Sequence, residues 1–343
     1  MKIVMQEHVS LADYCTMKLG GEARYLCVVT SKEELADAVQ WGGNQGLKIL
    51  MLGGGSNIVF DADGFDGLVI IDEIKGFEVI GDNDQTTTIK IGAGENWDGI
   101  VRRTVEMNLS GIEALSLIPG STGGTPVQNV GAYGQEISQT LVSVDVYDAL
   151  ENSFVTLAKS ELDLQYRSSN LKVPVEQRRY FIHSITLKLS KRMTIQRPLY
   201  DALEKYFIAN DIQNLTPQSV RDAVIAVRSS KLPDPAIIPN SGSFFANPIV
   251  NQEVYYSIKS NHPDVKAWPM GSGYKLAAGW LIEAAGLKDY AAHGLKTYNK
   301  QALVIVNESA KSAADLMKFR DEIITKVQEK FGVTLEQEPE LID

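Results

Sequence analysis

Cysteine and histidine are scarce in this chain of 343 residues, which has only Cys15 and Cys27, and only His8, His183, His262 and His293. The two cysteines lack the paired spacings of a zinc site or a redox dithiol, so in a reducing compartment they read as small buried hydrophobes. The histidines are scattered, with no His/Cys/Asp cluster at ligand spacing, and no protein-bound metal is expected. Long apolar runs are missing as well: nothing approaches the roughly 20 residues that span a bilayer. Met1 to Ser10 has neither a basic segment nor an apolar stretch of signal-peptide type. A cytoplasmic protein without a membrane partner is the expectation. Positive charge is in deficit, with 33 Lys plus Arg against 43 Asp plus Glu, a net charge of −10 that disfavours nucleic acid as a partner.

What is present is ordinary globular material, 44% hydrophobic and 22% charged, in a chain longer than one core usually supports. Two or three domains are expected. The first stretch reads strand, helix, strand. Ala23 to Thr30 is apolar and β-rich, Ser31 and Glu34 form a capping box for a helix over Glu33 to Trp41, and Leu47 to Leu52 is a buried strand. From about residue 76 the pattern turns to hairpins, Phe77 to Ile80 with Thr86 to Ile91, and Leu141 to Tyr147 with Phe154 to Leu157, followed by a strand over Tyr180 to Leu189. Asn96 caps a helix over Trp97 to Met107. The third region, from about residue 190, predicts helices over Ser219 to Ser229 and across Lys275 to Ala285, and a strand over Ala302 to Val306. It ends in a helix capped by Ser312 that runs to Lys330 before Gly332, and a short strand over Val333 to Leu335.

Two glycine clusters stand out. Gly53-Gly54-Gly55-Ser56-Asn57 follows a buried strand, and its bare backbone N–H groups suit an anion, with Ser56 and Asn57 as further donors. It lacks the third glycine of a Rossmann fingerprint, and taken alone it is better explained as a tight turn than as a phosphate cradle. Pro119-Gly120-Ser121-Thr122-Gly123-Gly124, continuing to Asn129-Val130-Gly131-Ala132-Tyr133-Gly134, is harder to dismiss as a turn and fits close approach of backbone to a flat or charged ligand, the plain alternative being a loop that crosses tightly packed β-structure. Phosphates plus a planar ring point to a dinucleotide. Cationic candidates are Arg167 beside Tyr166, Arg228 and Lys231 at the end of a helix, and Lys275 and Lys288 around Trp280. In Gly242-Ser243-Phe244-Phe245-Ala246-Asn247-Pro248 a serine beside aromatic bulk is a candidate proton donor in a dry site. No G-x-S-x-G elbow surrounds it, which argues against serine hydrolase chemistry.

Taken in order, GGGSN, IPGSTGG…QNVGAYG, YRSS, KLPDP…GSFFANP, KLAAGWLIE and a C-terminal LEQE resemble the UDP-N-acetylenolpyruvoylglucosamine reductases, flavoenzymes of bacterial peptidoglycan precursor synthesis, from about Thr16 to Ile342. The resemblance implies an α+β, three-domain protein in which two N-terminal domains of vanillyl-alcohol-oxidase-like type hold FAD and a C-terminal α+β domain covers the substrate. Its implied boundaries are 1–75, 76–213 and 214–335, with 336–343 returning to the active site. Gly53 to Asn57, Pro119 to Gly124, Asn129, Gly131, Ala132, Tyr133 and Arg228 fall on the cofactor side. NADPH is the implied reductant, and noncovalent FAD the implied carrier. Hydride from the flavin then reduces the enolpyruvyl ether of UDP-N-acetylglucosamine enolpyruvate to UDP-N-acetylmuramate.

By the same carry-over Ser243 delivers the proton, while Arg167 and Glu338 stabilise the enolate-like species. Glu336 and Glu340 are the alternatives to Glu338. Tyr166, Tyr200, Lys231, Asn247, Trp268, Lys275, Lys288 and Gln301 are implied substrate contacts, Tyr200 on the loop that marks the larger form of the enzyme. Trp268-Pro269 stands where some relatives have Tyr-Pro, one residue closer to the Lys275 motif. A monomer is expected. Competing readings are another FAD oxidoreductase of the same fold, which gives Arg167, Ser243 and Glu338 no joint purpose, and an inactive nucleotide-sugar-binding module, which predicts loss of a catalytic group.

Overall fold

The computed structural model describes residues 3–343 and divides into two compact units. The first comprises the N-terminal residues up to Val9, Ala23–Gly54 and Asp66–Ser230; the second comprises Ser10–Glu22, Gly55–Phe65 and Lys231–Asp343. Both mix helices with mainly antiparallel strands, and the fold is α+β.

The first unit contains two larger sheets and a two-stranded pair, Gly131–Ala132 with Gln135–Glu136. One has the strand order Gln6–Ser10, Glu22–Val29, Phe65–Asp72, Lys48–Leu52, the last two parallel with Leu50 beside Val69. Helix α1, Lys32–Asn44, buries Leu35, Ala38 and Val39 with Cys27, Val29, Leu68 and Ile70. Its predicted start holds: Ser31 Oγ accepts from Glu34 N at 3.2 Å, while Glu34 Oε2 accepts from Thr30 N at 2.8 Å. The other sheet is antiparallel, ordered Ser153–Ala158, Leu141–Asp148, Tyr180–Ser190, Thr86–Gly92, Phe77–Asp82, as the hairpin signals predict. Helix α2, Trp97–Glu106, is capped by Asn96 and packs Trp97, Ile100, Val101 and Val105 onto Ile89, Ile91, Val144 and Ile185.

Helices α3, Asp201–Ala209, and α4, Pro217–Lys231, share a core of Leu203, Phe207, Val220, Ala223, Val224 and Val227. Leu203 and Phe207 are almost wholly buried, each worth about 1.5–3 kcal/mol. These contacts group α4 with the first unit up to Ser230.

In the second unit, Asn240–Ser243, Gln301–Asn307, Leu295–Tyr298 and Ala291–Ala292 form one sheet, and Ile249–Val250, Gly273–Leu276 and Ala267–Met270 another. Helices α5, Gln252–Asn261, α6, Ala278–Ala284, and α7, Ala313–Phe331, complete it. The α7 signals are met: Ser312 accepts from Asp315 N, and Gly332 ends the helix at φ +66°.

Two expectations fail. The helix predicted from Lys275 starts at Ala278, because Lys275 is held in a strand opposite both Trp268 and Ile249, and Asn247 Oδ1 accepts from Ala278 N at 2.9 Å. Val333 and Leu335 are buried but form no strand. The C-terminal strand is Glu340–Ile342, parallel to Ile58–Phe60, since Glu340 to Ile342 supply the backbone ladder.

Candidate active site

In the first unit the two glycine clusters meet. A side chain on Gly53 would collide with Ser121 Oγ, and a Cβ on Gly54 would lie 2.7 Å from Gly120 Cα. Gly123 is similarly confined, its absent Cβ 2.6 Å from Ala93 Cβ while its N–H donates to Ala93 O at 2.8 Å. Glycine at these three positions is therefore demanded by loop packing on loop and strand, the plain structural reason, and does not by itself signal a ligand.

The rest of the segment builds a polar scaffold. Asn129, at φ +45° and 1% exposed, donates to Glu136 Oε2 at 3.1 Å and Gln165 O at 3.0 Å and accepts from Ser138 N at 3.2 Å. Its polar atoms are committed internally. Its bond to the Gln165 carbonyl braces the turn that carries Arg167, where Gln165 and Ser168 exchange backbone hydrogen bonds. Arg167, at φ +54°, donates from Nη2 to Gly131 O at 2.8 Å and lies over the Tyr166 ring, its guanidinium carbon 5.1 Å from the centroid. The YRSS turn is thus joined to the glycine-rich segment.

Tyr133 packs edge to face against Tyr200, with centroids 5.5 Å apart, and burial pushes both phenols above their ordinary range. The Arg228 guanidinium of α4 lies close enough to the Tyr133 phenol for each to act on the other. Arg228 Nε is buried with no hydrogen-bond partner among the described residues, and burial lowers the pKa of this guanidinium. A desolvated cation with an unused donor beside a glycine-rich segment is suited to an anion such as a diphosphate.

One buried group escaped the sequence reading. Arg221, two turns before Arg228 on α4, forks onto Asp98 at 2.7 and 2.9 Å and donates to Ser116 Oγ at 2.8 Å. Asp98 also accepts from Leu117 N at 2.7 Å. The signal available in sequence was the seven-residue spacing of two arginines on one helix face.

In the second unit Ser243 ends a strand that is bulged against Gln301–Asn307. Phe244 and Phe245 point into the core while Ser243 is exposed, so the aromatics support the serine without enclosing it. The C-terminal segment pairs with the next residues: Ala246 N donates to Glu336 O at 2.9 Å and Glu338 N to Phe244 O at 3.0 Å. Asn57 is tied to the same segment, its Nδ2 donating to Glu338 O at 3.4 Å and its carbonyl accepting from Glu340 N at 3.0 Å. Gly55, at φ +58°, lies where a side chain would strike Tyr14 O.

Asn247 and Gln301 flank the start of α6, Asn247 through Ala278 N and Gln301 with its Oε1 2.8 Å from where a Gly279 Cβ would stand. Lys275 and the half-exposed Trp268 face each other across two strands. Lys288 stands apart, beyond the other end of α6, paired with Glu283 at 3.3 Å. Lys231 is exposed. Among the described residues no group of three His, Cys, Asp or Glu could hold a metal ion, and no helix is long and apolar enough to cross a membrane.

Comparison with known proteins defines the class first. Residues 23–152 match the family model described as FAD binding domain, and the unpaired Arg228 donor beside Tyr133 fits the diphosphate of that dinucleotide. Residues 234–342 match the model for the C-terminal domain of UDP-N-acetylenolpyruvoylglucosamine reductase. The chain is 40% identical to a Ralstonia nicotianae protein of that name, covering 99% of each. It is 39% identical to one from Neisseria gonorrhoeae, covering 96% of this chain and 95% of the other. A reductase structure from Thermus caldophilus aligns over 100% of both chains with TM-score 0.66 at 24% identity, a likeness of fold. The chain belongs to the UDP-N-acetylenolpyruvoylglucosamine reductase family.

Proposed function

We propose that this chain reduces UDP-N-acetylglucosamine enolpyruvate to UDP-N-acetylmuramate in peptidoglycan precursor synthesis, with noncovalent FAD and with NADPH as the reductant. It is an FAD-dependent oxidoreductase by family and domain content. The observation that carries the residue assignment is the C-terminal segment laid antiparallel to Phe244–Ala246, with Glu338 bonded through its N–H to Phe244 next to the exposed Ser243.

Bound FAD supplies the hydride that adds to the enolpyruvyl double bond. Ser243 Oγ delivers the proton to the other carbon. A serine hydroxyl is a weak acid at neutral pH, so the acceptor must be a strongly basic, enolate-like carbon. Arg167 forks onto the substrate carboxylate and stabilises the charge that develops there. Glu338 is assigned, with Arg167, to stabilising the same enolate-like group. Arg228 and Tyr133 hold the cofactor's diphosphate. Tyr200 and Lys231 contact the diphosphate of the sugar nucleotide, with Tyr166, Asn247, Trp268, Lys275 and Gln301 as further contacts; Lys288, paired with Glu283 beyond the far end of α6, is left out of that set. The protein works as a cytoplasmic monomer, without nucleic-acid or membrane partners.

Ser243→Ala tests the proton donor. FAD reduction by NADPH should stay intact while the second half-reaction slows by about 10²–10⁴-fold. Normal turnover in that variant would refute the assignment.

A further inference from the structure

Three buried side-chain oxygens in the second unit have no hydrogen-bond partner among the described residues: Thr16 Oγ1, Ser241 Oγ and Asn307 Oδ1. Their three segments are laced together. Asn240 N donates to Thr16 O at 3.0 Å, Asn307 N to Pro239 O at 2.9 Å, and Asn307 Nδ2 reaches Met17 O at 3.1 Å. One of the three orphans sits inside the bulge that leads to Ser243. Asn240 faces Val306 and Ser243 faces Val304, so three steps along one strand match two along the other, and Ser241 and Gly242 absorb the excess. Gly242 takes φ +69°, its N–H bonded to Asn240 Oδ1 at 2.9 Å. Asn240 thus fixes the bulge through Gly242, while the Ser241 hydroxyl is left without a protein partner.

Buried polar atoms in native proteins are nearly always satisfied, and each one left unpaired is costly. The donor and acceptor balance of this trio suits one molecule. Asn307 Oδ1 only accepts, whereas each hydroxyl either donates or accepts. A single water with two donors and two acceptor sites can serve all three, which is the usual number of partners for internal water. We propose that Thr16, Ser241 and Asn307 bind one internal water that pins the Ser241–Gly242 bulge and thereby positions Ser243. The link to Ser243 rests on the proton-donor reading above; the water site itself does not. Thr16 and Ser241 act as positioning residues through the bulge.

The test uses the FAD-loaded chain and the variants Thr16→Val, Ser241→Ala, their double, and Thr16→Ser. With a shared water, each single hydroxyl loss strands the remaining partners and lowers the folding equilibrium constant by about tenfold in urea titrations. The double variant then costs little more than either single, because the second loss acts on a network already broken. Neutral or stabilised single variants, or strictly multiplicative losses, would overturn the shared site. For positioning, Thr16→Val should slow the second half-reaction at saturating substrate about tenfold with KM unchanged, and Thr16→Ser should restore the rate. An unchanged rate in Thr16→Val, alongside a crippled Ser243→Ala, would refute the positioning role. If Ser243→Ala turns over normally while the urea coupling persists, the proton-donor assignment fails and the water site stands.

Discussion

Helix α4 carries two buried arginines in opposite circumstances. Arg221 is met by a bidentate carboxylate and a hydroxyl, whereas Arg228 has a phenol and an Nε with no partner among the described residues. Taking a guanidinium out of water is tolerable only when its charge and donors are answered. At Arg221 the protein supplies the answer, and the group ties α4 to α2 and to Ser116. At Arg228 the carboxylate of Asp98 acts only through space, its oxygens taken up by Arg221 and Leu117 N. The first arginine is structural; the second, with its unanswered donor, is the one we propose for a ligand.

Breaking the paired member should have the largest effect. Arg221→Ala leaves Asp98 half-buried without its cation, and should cost about 3–5 kcal/mol of stability in urea unfolding with FAD absent. A loss under about 1 kcal/mol would end the distinction between the two arginines.

The same contrast holds among the acids. Burial raises the Asp98 carboxyl, but Arg221 and the Leu117 N–H outweigh it and keep it below the ordinary range. Asp72 is pushed up to about 7 by burial, against the opposing pull of the Ile74 N–H and Lys75. Because the folded value is raised, the folded chain binds the proton more tightly than the unfolded chain. Stability from Asp72 is complete below about pH 4 and is lost as pH rises through 7. Asp72→Asn keeps an oxygen for Ile74 N and does not titrate. Its stability should equal wild type below pH 4 and exceed it above pH 7, by up to about 4 kcal/mol. A gap that does not change with pH would contradict the assignment.

The unpaired arginine gives the smallest and most specific effect. Arg228→Met should leave the FAD-free chain as stable as wild type, or slightly more so. It should weaken FAD binding about 10- to 100-fold, equivalent to one or two charge-assisted hydrogen bonds. Unfolding curves and a fluorescence titration with FAD check both halves.

Much of this was legible in sequence wherever a local signal is strong. Ser31, Asn96 and Ser312 cap the helices they predict, and the hairpin turns set the antiparallel sheet. Helix α3 was not legible, being short and without a side-chain cap at Tyr200. Nor was the strand at Lys275, whose pairing with Trp268 and Ile249 overrides a helix-compatible sequence. Sequence leaves the glycines open to a ligand or to tight packing, and at Gly53, Gly54 and Gly123 protein atoms crowd the place of the missing Cβ, a reason that depends on tertiary contacts. The unanswered donor of Arg228 is invisible in sequence because it depends on which carboxylate Arg221 has already taken. Ser243 was identified through its motif, but the bulge that presents it becomes apparent only from strand register.

The most direct measurement is an anaerobic two-step titration of the purified yellow protein. NADPH should bleach the flavin spectrum, and UDP-N-acetylglucosamine enolpyruvate added afterwards should restore it with formation of UDP-N-acetylmuramate. A protein that bleaches with NADPH and is not recoloured by this substrate would contradict the account.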